Sequence, residues 1–145
     1  MSTPAPPGLA DALAAVVADM RAAATELATV LDAEHAALTA ADVLALDHAG
    51  NRKQALMQAL ELHEAERRQL QSMAPASAEP TGWSEVLRLL ALCQERNLRN
   101  GALVGQRLTQ VRRALAVLTG EPEPGTYGRG GGLEPSARVQ MRARA

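Results

Sequence analysis

The residues of this chain able to ligate a metal, attack a carbonyl or cradle a phosphate are few, and their spacing does not serve those chemistries. The histidines number three, at His35, His48 and His63. Asp32 and His35 make one carboxylate-x-x-His step. A di-iron bundle needs that step on two helices, with further carboxylates facing inward, and no second copy is present. His63-Glu64-Ala65-Glu66 lacks the second histidine of a zinc-protease helix. Solvent-facing histidines are the expectation. Cys93 lies on an apolar seam between Leu90 and Asn97, where a small buried thiol is expected rather than a nucleophile. Gly128-Arg129-Gly130-Gly131-Gly132 follows a helical stretch, and no Lys-Ser/Thr pair opens a helix after it. A flexible linker fits this run better than a phosphate-binding loop. No catalytic residue, metal ligand or cofactor site is expected, and the chain reads as a non-enzyme.

Composition says what kind of scaffold carries these residues. Apolar residues are 47% of the 145, but aromatics only 1%, with one Trp, one Tyr and no Phe. Ala and Leu supply the apolar mass, and both are good helix formers. Sheets draw on β-branched and aromatic residues, so the expected class is all-α. A net charge of −1 gives no electrostatic footprint for nucleic acid. A single cysteine fits a reducing compartment. The apolar N-terminal stretch has no basic start and is interrupted by Asp11 and Asp19, unlike a signal peptide. With no uncharged apolar run of about 18 residues, no membrane insertion is expected and a cytoplasmic protein is.

Helical periodicity begins at Leu9, after a proline-rich leader over residues 1–8. One seam runs Leu13, Val16, Met20, Ala23, Leu27, Val30, Glu34, and a second runs Val17, Ala24, Leu31, Leu38. Two adjacent seams make a stripe wide enough for two neighbours. Thr39-Ala40-Ala41-Asp42 resembles a capping signal, and a tight turn or sharp bend is expected there, an uninterrupted helix being the alternative. The next stripe is Val43, Leu46, Ala49, Lys53, Leu56, Leu60, His63, Arg67, Leu70, weakened by Gly50. Pro75, Pro80 and Gly82 mark a loop, after which Thr81 or Ser84 can cap a third helix starting near Trp83. Its seam runs Val86, Leu90, Cys93, Asn97, Asn100, Val104, Leu108, Val111, Leu115, Leu118 and stops at Gly120. Three helices of about 30 residues, each roughly 45 Å long, imply an elongated antiparallel bundle over residues 9–120.

Two features depart from a plain bundle. Asn97 and Asn100 fall on or beside an apolar seam, where a buried Asn fixes register or turns toward a polar contact. Gly101 and Gly105 lie one turn apart, which fits close packing, a local bend, or a groove for a partner helix. Residues 121–145 form a Gly-rich tail holding Tyr127, then Leu133, Val139 and Met141 among Arg138, Arg142 and Arg144. Too sparse for a core, this tail is expected either to be disordered or to fold on a partner surface.

The run Asn97-Leu98-Arg99-Asn100-Gly101-Ala102-Leu103-Val104, then Val111, Ala114, Leu115 and Leu118, then Thr126-Tyr127-Gly128, resembles the C-terminal half of the FlgN family. Upstream, the acidic turn at Asp42 and Leu46, Lys53, Leu56, Leu60, Glu61 and Arg67 agree with it. The resemblance spans about residues 9–130 and departs in Ala content and at Gly50. It implies a cytoplasmic chaperone for the hook–filament junction proteins, of FlgK and FlgL type. Such a chaperone binds the client's C-terminal helical segment, prevents premature assembly and delivers the client to the flagellar type III export apparatus. The partner contacts then expected are Asn97, Asn100, Gly101, Val104, Leu133, Val139 and Met141, with Tyr127 toward the export gate. A helical module that merely self-associates is the alternative.

Overall fold

The computed structural model describes residues 5–76 and 78–120, and among them every regular element is a helix. Helix α1 spans Leu9–Ala40, α2 Val43–Gln71 and α3 Trp83–Thr119. The chain divides into two compact units, Met1–Gly101 and Ala102–Ala145, and α3 contributes residues to both. The leader's residues 1–4 and the whole of the 121–145 tail lie outside the described residues.

In the first unit the helices run up, down and up. Leu31 packs with Leu56 and Cys93, together with Leu27 and Ala28. A second cluster joins Val16, Val17 and Met20 to Val86, with Trp83, Leu70 and Leu90 against it. Both apolar seams of α1 are therefore used, Val16, Met20 and Leu27 from one and Val17 and Leu31 from the other. Met20, Leu31, Val16, Val17 and Val86 are the largest of the fully buried apolar side chains. With almost no aromatics, the core is filled by aliphatic and Ala side chains. The stripe expected on α2 is inward from Leu46 to Leu70, with Ala49 and Leu56 fully buried. Val43 is the exception at 75% exposure, because it is the first helical residue after the turn.

That turn is tight rather than a bend. Ala41 adopts φ 56°, ψ 37°, and Asp42 Oδ1 accepts the Ala45 N–H at 3.1 Å. The cap is Asp42 itself; Thr39 stays within α1 and donates its hydroxyl to the His35 carbonyl. Gly82, at φ 85°, precedes α3 and its carbonyl accepts the Val86 N–H. Gly120, at φ 76°, closes the helix, as expected of a residue free to enter the left-handed region.

Gly50 sits inside α2 with nothing within 4 Å of the position a Cβ would take. Gly50→Ala should therefore raise unfolding stability by about 0.8–1 kcal/mol. A urea titration checks this, and an unchanged or lower midpoint would contradict it.

The loop end of α2 is held by charge. Glu64 accepts from Arg67 at 2.7 and 2.9 Å and from Arg68 at 2.9 Å, while Arg67 lies 4.2 Å from the Trp83 ring centroid. The Arg67 hydrogen bonds, reinforced by Arg68, hold the Glu64 carboxyl below the usual carboxylate range. A carboxyl lowered in the folded state stabilises fully above its unfolded value, about 4.3. That stabilisation is lost as pH falls through the lower, folded value. The drop in urea midpoint between pH 6 and pH 3 should accordingly be smaller in Glu64→Gln than in the unaltered protein.

Candidate partner-binding surface

Between the Leu31–Leu56–Cys93 cluster and buried Ala37, Leu38 and Ala49, the three helices of the first unit meet through polar side chains. Asn100 is 2% exposed and Glu34 8%. Asn100 Nδ2 donates to the Leu31 carbonyl and to Glu34 Oε1, both at 2.8 Å. Asn100 Oδ1 receives His35 Nδ1 at 3.2 Å and Arg99 Nε at 3.3 Å. All four hydrogen-bonding positions of the amide are occupied, which fixes its orientation and places the proton on His35 Nδ1. Lys53 reaches Glu34 at 3.1 Å and donates to Asn97 Oδ1 at 2.9 Å. Nearby, Arg96 and Arg99 both pair with Asp32, and Arg96 also donates to the Ala28 carbonyl.

This layer decides between the alternatives for the two asparagines. Asn100 is an internal residue that locks α1 and α3 in register, since a one-residue slip would leave its amide and the Glu34 carboxylate unpaired in the interior. Asn97 is exposed and bonded to Lys53. His35 corrects the expectation of solvent-facing histidines: it is half-buried and part of this network, and His63 is half-buried too, leaving His48 exposed. The network's members could not be read as a group from sequence, because each belongs to a different stretch of chain.

The glycine pair is a second correction. Neither Gly101 nor Gly105 has any atom within 4 Å of an added Cβ, so close packing does not explain them. From Val104 onward the α3 seam is open: Val104 is 47% exposed, Leu108 48%, Val111 and Leu115 54% and Leu118 81%. Half of the seam expected as bundle core is thus solvent-facing apolar surface. Tyr127, Leu133, Val139 and Met141 lie outside the described residues.

Among the described residues, no three His, Cys, Asp or Glu side chains are grouped to hold a metal. Cys93 Sγ is buried against the Ala24 carbonyl at 3.4 Å, and desolvation pushes its thiol up despite nearby Arg96, the reverse of activation. No helix among the described residues is long and apolar enough to cross a membrane.

The first unit thus carries a locked polar layer, and α3 beyond Gly101 carries an exposed apolar seam from Val104 to Leu118. The FlgN protein family model matches residues 1–135, and the chain belongs to that family. The family is one of flagellar export chaperones, and that general role is the chain's own. Searches of curated proteins and of solved structures returned no match.

Proposed function

We propose that the chain is a cytoplasmic chaperone that binds the C-terminal helical segment of hook–filament junction proteins. It holds them unassembled and delivers them to the flagellar export gate. The observation that carries this reading is the exposed seam Val104, Leu108, Val111, Leu115, Leu118 in a chain of this family. Leaving five large aliphatic side chains in water on one helix face is unfavourable unless a partner covers them. An amphipathic client helix is the matching shape, anchored at steps of three and four. Leu133, Val139 and Met141 add apolar contacts from the tail, and Tyr127, the chain's one tyrosine, touches the gate. On the first unit, Asn97 and Gly101 present open surface, while Asn100 acts from within by holding the helix in register.

The test is calorimetric titration of the protein with the C-terminal helical fragment of a junction protein, with and without residues 133–145. Saturable binding that weakens on tail removal supports both the client and the tail contacts. Binding that ignores the tail keeps the client and confines the site to α3. No binding to either junction protein, with self-association in its place, would return the chain to a homo-oligomeric helical module.

A further inference from the structure

Helix α3 has two halves that are held in different ways. From Trp83 to Asn100, Val86, Leu89, Cys93 and Asn100 are buried, Arg96 bonds the Ala28 carbonyl, and Val86 is the one β-branched residue. From Ala102 to Thr119 only Ala116 is buried, Leu103 and Arg107 are half-buried, and the other side chains are exposed. This second half holds five β-branched residues, Val104, Thr109, Val111, Val117 and Thr119, each a poorer helix former than Ala or Leu. Gly101 and Gly105 stand at its start, where each leaves more backbone freedom to the unfolded chain than any other residue would. Neither has an atom within 4 Å of an added Cβ, so packing does not require glycine at either position. Thr109 donates to the Gly105 carbonyl at 3.0 Å, a back-bond that slightly weakens a helix. The first compact unit ends at Gly101.

Resting on the function proposed above, we propose that residues 102–119 are a separately melting segment of α3, and that its melting is the step that releases the client. A segment with little buried surface opens at a free energy far below that of the whole fold. Side chains at steps of three and four share a face only on a helix. The seam from Val104 to Leu118 therefore exists only while the segment is helical. Opening removes the binding surface, and closing restores it. The two glycines set how often this happens, a role that needs no contact and accounts for their open surroundings.

Hydrogen exchange on the full chain reads the opening without any client. A helix frays from its free end, so amides of residues 102–108 exchange only once α3 is open through Gly105. They should exchange at least about 100-fold faster than amides 89–96. Gly105→Ala should slow them roughly four- to fivefold, and adding Gly101→Ala should slow amides 102–104 by a similar factor again. Gly50→Ala, the same change at an equally open position in α2, should leave them unaltered. Stopped-flow dissociation of a bound junction-protein helical fragment should slow roughly tenfold to twentyfold in the double glycine variant, and not at all in Gly50→Ala. Exchange in 102–108 as slow as in 89–96 overturns the melting segment, as does exchange that the two glycine replacements leave unchanged. Slower exchange in the double variant with an unchanged dissociation rate overturns the release step and leaves the proposed function standing. Fast exchange in 102–108 with no binding of either junction fragment overturns the proposed function and the release step together, and leaves the melting segment standing.

Discussion

Asn100→Leu should lower the free energy of unfolding by about 2–3 kcal/mol, although Leu is similar in size and more apolar. The Asn100 amide makes four hydrogen bonds, two of which reach the Leu31 carbonyl and the Glu34 carboxylate at 2.8 Å. Without it, Glu34 keeps Lys53 alone, and His35 Nδ1–H loses its acceptor. The penalty comes from these stranded partners, because a buried polar group without a partner loses its hydration and recovers nothing. A double change, Glu34→Leu with Asn100→Leu, should recover part of the loss. Lys53, already partly exposed, can then carry its ammonium to water along its aliphatic stem. Urea unfolding of the four proteins in the cycle measures this coupling directly. An Asn100→Leu midpoint equal to that of the unaltered chain would show that the layer does not hold the register.

The second large effect concerns binding and not stability. Leu108→Asp combined with Leu115→Asp should weaken capture of a junction-protein helical fragment by on the order of 100-fold or more, the sum of two central anchors. Both side chains are about half exposed, so the same pair should leave the helical signal and the thermal midpoint close to unchanged. Loss of binding with an intact fold places the client on the seam. Full binding by the doubly substituted protein would remove Val104–Leu118 as the site, and a collapsed midpoint would show that the seam is structural.

Much of this was legible in the chain's periodicity. The inward stripe of α2 follows the expected positions from Leu46 to Leu70, including Lys53 and Arg67, whose long stems cover apolar surface while their charges find Glu34 and Glu64. The turn at Ala41–Asp42 was legible too, because a short acidic side chain can receive the N–H groups that a helix start leaves unpaired. Within that motif Asp42 is the residue that caps, while Thr39 stays inside α1 and bonds the His35 carbonyl.

The apolar seam of α3 shows where sequence reading stops. Its steps of three and four continue unchanged from Val86 to Leu118, yet Val86 and Cys93 are buried and Leu108 and Leu115 are not. Periodicity is a property of the helix alone: it states which side chains share a face, and it holds no term for what lies opposite. The sequence by itself determined the helical class, the three segments, their turns and the faces that are apolar. Only the tertiary structure decided which stretch of those faces is covered, and that Glu34, His35, Lys53, Asn97 and Asn100 converge into one polar layer. Burial and hydrogen bonding between distant residues exist only once separate helices are brought within contact distance.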